Sequence, residues 1–284
     1  MNVLNEQITP AKKRPAAAKL AVVIALLNGL LVVTFGFYQM SLNPDQDLIG
    51  ISLLLNTLVY SVLGVLIIFR QPRHPVGWLF LLVGFTQALN TFPFDALLHN
   101  TGDPGVLQSL VFAFGRNLYM PAYFSPLTLV LQLFPDGRPL SQRWRWLAWV
   151  TILTLGAAML SGTLVYLNES GLALIDNAGL STVASFLITI GLLVSSFGSL
   201  ASVILRFFRS AGVERAQMKW LVYAAVAWIP ALVVSTAVSD GDSVISTFLI
   251  LSFPLVLAVT ITIAILRYHL FDIDIIIRRT LQYG

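Results

Sequence analysis

The chain has 284 residues, of which 57% are hydrophobic and 11% charged, with 17 Lys and Arg against 13 Asp and Glu and no cysteine. Soluble domains carry about 25% charged residues, so the polar residues left here cannot furnish a large soluble domain, and the apolar excess points to an integral membrane protein. Without cysteine, disulfides, thiolate metal sites and cysteine nucleophiles are excluded; a net charge of +4 in such a chain bears on membrane orientation rather than on affinity for nucleic acid.

Residues 1–19 form a basic tail with Lys12, Lys13, Arg14 and Lys19. The apolar run behind it, Leu20–Met40, is long enough to span and lacks a small-x-small cleavage site, so it reads as a first helix that stays in the protein. A spanning helix needs about 20 apolar residues. Seven further stretches qualify: Leu48–Phe69, Val76–Phe94, Gly115–Phe134, Leu147–Leu167, Ser181–Leu205, Trp220–Val238 and Val244–Leu266. The predicted fold is all-α, a polytopic bundle of about eight transmembrane helices over residues 20–266. A cytoplasmic amphipathic connector over residues 267–284 completes the chain.

Every Lys and Arg except Arg116 falls on one alternating set of segments, while Asp45, Asp47, Asp95, Asp103, Glu169, Asp176, Asp240 and Asp242 occupy the opposite loops. The positive-inside rule then places both termini in the cytoplasm, in a multi-pass protein of the inner membrane.

Arg116 is the one charge near a helix interior. A fourth helix starting at Gly115 puts it at the outer interface, where its side chain snorkels, and makes Val106–Phe114 an interfacial segment. Gln87, Asn90 and Asp95 lie toward the outer end of the third helix, and Arg116 and Asn117 at the outer start of the fourth. With Pro121 and Pro126 able to kink that helix, these five residues form a candidate polar pocket in which Arg116 pairs with Asp95 or receives an anion. Asn28, Asn56 and Gln132 are single amides suited to interhelical hydrogen bonds, and Gly191, Ser195, Gly198 and Ser202 make a small-residue stripe suited to an intramolecular helix seam.

The three histidines, His74, His99 and His269, lie in connecting segments and read as solvated or interfacial side chains. No shared metal or haem is expected of them, and no cofactor of any kind. The loop Ser239–Ser243 lacks the later ligands of a calcium loop. No phosphate-binding glycine loop, zinc-protease motif or nucleophile elbow occurs. The chain is therefore not expected to be an enzyme.

After Leu266 the chain turns charged and amphipathic. Arg267, His269, Asp272, Asp274, Arg278 and Arg279 interrupt Leu270, Phe271, Ile273, Ile275, Ile276, Ile277 and Leu281. Helix and strand periodicities compete here; either conformer lies at the inner interface and transmits a shift of the last helix.

Four pieces taken together carry a family resemblance: Arg73–Phe80 (RHPVGWLF), Leu133–Pro139 (LFPDGRP) with Arg143–Arg145, Glu214–Leu221 (ERAQMKWL), and Ala264–Asp274 (AILRYHLFDID) with Arg279–Gly284 (RTLQYG). In order, they resemble the amino-terminal membrane region of bacterial two-component sensor histidine kinases. The resemblance implies a homodimer and, beyond the Tyr-Gly, another apolar stretch with cytoplasmic dimerisation and ATP-binding domains. The phosphoacceptor histidine and the ATP lid are not among these residues, so autophosphorylation is not carried over. The expected function is a membrane-embedded sensory, signal-transducing module. Its kinase domain would be supplied in cis or by a partner subunit. The competing expectation is a small transporter or permease, or a structural membrane subunit; the transporter predicts broken helices and polar groups at mid-membrane.

Overall fold

The computed structural model describes residues 14–42, 47–92, 106–169, 178–212, 214–224 and 252–266. All regular structure in these segments is helical. The helices are α1 (Arg14–Leu42), α2 (Asp47–Arg70), α3 (Pro75–Asn90), α4 (Val106–Arg116), α5 (Tyr119–Ser125, running on through a π-turn at Pro126–Val130 to Leu133), α6 (Arg145–Glu169), α7 (Ala178–Arg209), α8 (residues 214–224) and α9 (Ser252–Leu266). Four of them, α1, α2, α6 and α7, are long and apolar enough to cross a bilayer, and α3 and α9 are shorter apolar helices. Of the predicted seventh span, residues 225–238 lie outside the described residues, as do 244–251 of the eighth and the whole connector with Arg267, His269, Asp272, Asp274, Arg278 and Arg279.

The centre of the fold is an antiparallel trio of α1, α2 and α3. Asn28 Nδ2 on α1 donates to Ser61 Oγ on α2 (3.0 Å) and to the Leu81 carbonyl on α3 (3.3 Å). These are the interhelical bonds anticipated for that amide. Asn56 Nδ2 donates to Ser52 O within its own helix. Where α2 meets α3, Gly64 stands so close to its partner that a Cβ there would lie 2.9 Å from the Gly77 carbonyl oxygen. Small residues at such crossings let backbones approach and maximise dispersion contact, which matters most where lipid supplies no hydrophobic drive.

A second pair, α6 and α7, packs along the small-residue stripe. Gly191 meets Thr154, and Gly198 meets Leu147 with a would-be Cβ 2.7 Å from its methyl carbon; Ser195 and Ser202 are buried. The stripe is thus an intramolecular seam. The broken helix α5 lies between the two groups. Its Val130 and Phe134 join Tyr60, Phe80 and Val83 in one apolar cluster with Leu257, Ile261 and Ile265 of α9. On its other side Gln132 Nε2 donates to Thr151 Oγ1 of α6 (3.0 Å) and Ser199 Oγ of α7 (2.9 Å).

The predicted boundaries shift at three places for local reasons. The fourth helix begins at Tyr119, not Gly115, because Asn117 Nδ2 turns back to the Ala113 carbonyl (2.7 Å) and closes α4. Thr91 ends α3 early, its hydroxyl donating to Ala88 O (2.7 Å). The sixth span runs on by a turn and takes Arg206 and Arg209 into the helix, where Arg206 meets main-chain carbonyls.

Candidate functional site

The described Lys and Arg residues, Arg116 apart, gather at one end of the bundle, and the polar chemistry of the fold is concentrated there. Pro75 opens α3, a position where its missing N–H costs nothing, and holds the preceding His74 in an extended conformation (φ −74°, ψ 118°). That backbone turns the imidazole inward. His74 is buried, and its Nε2 donates to the carbonyl of Pro135, 2.9 Å away. Of the reading of His74 as a solvated or interfacial side chain, the solvated part is therefore corrected: a carbonyl exposed by the chain reversal after α5 holds it inside.

Pro135 follows a cis peptide bond and begins the turn Pro135-Asp136-Gly137-Arg138. Gly137 has φ +74°, and a Cβ at that position would lie 2.5 Å from Pro75 Cδ. Glycine is required twice over, by the left-handed backbone and by the close approach to α3. Gly137→Ala is expected to lower stability by about 1–2 kcal/mol, read as a fall in the thermal midpoint of the detergent-solubilised protein.

Arg206, in the last turn of α7, clamps the same turn from the opposite side. Its Nη2 donates to the Gln132 carbonyl (2.7 Å) and to the Arg138 carbonyl. The residue is 8% exposed, and Asp136 and Glu214 act on it electrostatically. The Gln132 carbonyl, at the end of α5, has no intrahelical donor, and the two N–H groups of Nη2 serve it together with the Arg138 carbonyl of the turn. Glu214 opens α8, whose Gln217 Nε2 donates to Ala264 O on α9 (3.0 Å), while Met218 and Leu221 enter the core. Arg215 lies over the Phe207 ring at 5.4 Å. Four separate segments of sequence, at residues 73–80, 133–139, 214–221 and 264–266, are thereby brought together, with Arg206 as the tie.

The residues of the predicted outer pocket are distributed differently. Arg116 is exposed and sits over the Tyr166 ring of α6 at 5.7 Å. Asn117 is buried against Gly162 of α6. Asn90 is half-buried at the end of α3. Asp95 lies outside the described residues, so the Arg116–Asp95 pair is not among the contacts described. Gln87 is 1% exposed, and neither its Nε2 nor its Oε1 has a hydrogen-bond partner. An unpaired buried amide costs roughly 1–3 kcal/mol, which makes Gln87 the most expensive side chain to place among the four that are described.

α4 carries Val106, Leu107, Leu110, Val111 and Phe114 on an exposed face and Ser109, Phe112 and Ala113 on a buried one. The segment before Arg116 therefore has one exposed apolar face and one buried face. Among the described residues, no cluster of His, Asp and Glu has the form of a metal site.

Sequence reasoning missed Arg206 because it was one more positive residue on a basic segment. The available signal was its position four residues after Ser202 and seven after Ser199, on a helix face that continues the buried stripe. No family model matches this chain, and no curated protein or solved structure matches it either.

Proposed function

We propose that this chain is a membrane-embedded signal-transducing module with eight spans and both termini in the cytoplasm, acting as a homodimer on a kinase domain in cis or in a partner subunit. The observation that carries the reading is the junction at the basic end. His74 and Arg206 hold one turn from opposite sides, and the same junction reaches, through Gln217, the end of α9 from which residues 267–284 depart. A rearrangement of α3, α5 or α7 would be felt there. Signalling of this kind needs two packings of the bundle that differ by a few kcal/mol, and hydrogen bonds from side chains to carbonyls can be exchanged without unfolding a helix. In the cell the clustered Lys and Arg would face the cytoplasm. The module itself performs no catalysis in this reading.

The absence of cysteine makes a direct test practical. With spin labels at S141C and I263C, the full chain in nanodiscs is expected to show two distance populations, and R206A should change their ratio. A single distance unaffected by R206A would overturn the reading.

One observation favours the transporter alternative. α5 is broken by Pro121, Pro126 and a π-turn beside buried polar groups, and interrupted helices are a transporter feature. Proteoliposomes that accumulate solute, with the two label sites at a fixed distance, would establish that alternative.

A further inference from the structure

Gln87 is one of several side chains with buried polar atoms that have no hydrogen-bond partner. The register of α2 against α3 is fixed by Gly64 against Gly77 and by Gly84, whose would-be Cβ lies 2.6 Å from Ser61 Oγ and 3.3 Å from Thr57 O. One turn beyond Gly84, Gln87 is therefore level with the turn of α2 that holds Thr57. Phe80, Val83 and Gln87 share one face of α3. Phe80 meets the Tyr60 ring edge-on at 5.1 Å, and Val83 lies in the same cluster.

The antiparallel packing of α5 on α3, anchored where His74 meets Pro135, brings Tyr123 to the level of Gln87. Tyr123 is also close enough to Tyr60 to act on it electrostatically. The Thr57 and Tyr123 hydroxyls are buried without hydrogen-bond partners, as are both ends of the Gln87 amide. Tyr60 alone is engaged, donating to the Pro254 carbonyl of α9 at 2.6 Å.

We infer that Thr57, Gln87 and Tyr123 form a binding site for an uncharged, membrane-soluble molecule bearing a carbonyl. The ligand class follows from what the site offers. Unspent N–H and O–H donors outnumber dedicated acceptors, since only Gln87 Oε1 is an acceptor without a proton to give. A carbonyl oxygen takes such donors. Charge is excluded because the described residues of α2 between Leu48 and Phe69, and those of α3, α5 and α9, include no Asp, Glu, Lys or Arg, and an uncompensated charge here would stay in water. The Tyr60 and Phe80 rings supply an aromatic wall. The site shares Gln87 with the predicted outer pocket but differs from it in its other residues and in the charge of its ligand. Its role as stimulus input, through Tyr60 and the Pro254 carbonyl to α9, rests on the signalling reading; its chemistry does not.

The test uses the full chain in phosphatidylcholine nanodiscs and benzophenone, a neutral aromatic ketone that labels its surroundings on irradiation. Labelling is expected to saturate on peptides holding Tyr60, Phe80 or Tyr123. Excess 9-fluorenone should suppress it, and fluorene, the same frame without the carbonyl, should not. Gln87→Leu should weaken the label's apparent affinity about tenfold, the loss of one or two hydrogen bonds, and Tyr123→Phe by a smaller factor.

Gln87→Leu removes an unpaired amide, so its thermal midpoint should not fall; if that variant does not fold, Tyr123→Phe, which removes one oxygen, carries the test. Labelling that never saturates and spreads over exposed Phe186 and Phe197 of α7 would overturn the site. So would equal competition by fluorene, or unchanged affinity in both variants. Repeating the S141C/I263C distance measurement with 9-fluorenone separates the two claims. Saturable binding without a change in distance would sustain the site and refute its signalling role, whereas absent binding refutes the site whatever the distance does.

Discussion

Replacing Arg206 by alanine is expected to be the most damaging change at the basic end, costing about 3 kcal/mol. A hydrogen bond from a charged donor is worth about 1.5–3 kcal/mol, and Arg206 makes two, to the carbonyls of Gln132 and Arg138. Among the described residues, neither carbonyl accepts a main-chain hydrogen bond from the turns and loops. The relief of bringing the guanidinium out of its buried position offsets part of the loss, which is why the full sum is not expected. Arg206→Met keeps the apolar stem against the helices and removes only the fork; it should lose nearly as much as alanine if the hydrogen bonds dominate, and much less if packing does. Arg206→Lys should fall between wild type and Met, because a single ammonium on a flexible stem is a poorer match than a planar guanidinium to two fixed carbonyls. Thermal unfolding of the three variants in one detergent orders them, and an alanine variant within about 0.5 kcal/mol of wild type would contradict the role assigned to this side chain.

The second large effect is expected in the central trio, from Gly64→Val. A Cβ at Gly64 meets Gly77 O at 2.9 Å, Leu81 Cγ at 3.0 Å and Leu81 N at 3.1 Å. Two of these three atoms belong to main chain, so no rotamer change relieves the overlap and α3 must move away from α2. Overpacking of this kind costs about 1–3 kcal/mol and occasionally more; the upper end applies here because separation also disturbs the Asn28 bonds to Ser61 and Leu81, which rely on the same spacing. Gly36 is the matched control: a Cβ there meets nothing within 4 Å, and Gly36→Val should leave the thermal midpoint nearly unchanged. Equal effects at Gly64 and Gly36 would mean that the close approach of α2 and α3 contributes little.

Both expectations concern features read very differently from sequence. That the chain is helical and carries apolar helices of spanning length was legible from the length of its apolar runs, since lipid leaves a backbone few other ways to satisfy its polar groups. The grouping of basic residues on alternating segments was legible too, and so was the use of Asn28 and Gln132 between helices. An amide in an apolar run has few alternatives to a neighbouring helix. The stripe from Gly191 to Ser202 was read as a seam because small residues at helical spacing invite a close partner, and α6 is that partner.

Other features had no one-dimensional signature. His74 and Pro135 are 61 residues apart, and Arg206 and Arg138 are 68 apart. Beyond the register of Arg206 on the buried stripe of α7, nothing in the local sequence distinguishes an arginine that lies in solvent from one folded back onto carbonyls, because the acceptors are main-chain atoms present at every residue. The predicted outer pocket illustrates the same limit. Gln87, Arg116 and Asn117 were grouped by shared depth, yet depth does not specify azimuth. Arg116 and Asn117 face α6, while Gln87 shares a face with Phe80 and Val83 toward α2 and α5.

By itself, then, the sequence determined the helical class, the apolar segments and the sorting of charge along the chain. These follow from the transfer free energy of each side chain and from hydrogen bonding within a helix, both local quantities. Only the tertiary structure decided which polar groups meet: the clamp of His74 and Arg206 on one turn, and the bonds of Asn28 to Ser61 and to the Leu81 carbonyl. Those contacts depend on helix register and rotation, which are set by close-packed residues such as Gly64, Gly77 and Gly84 acting between helices rather than along the chain.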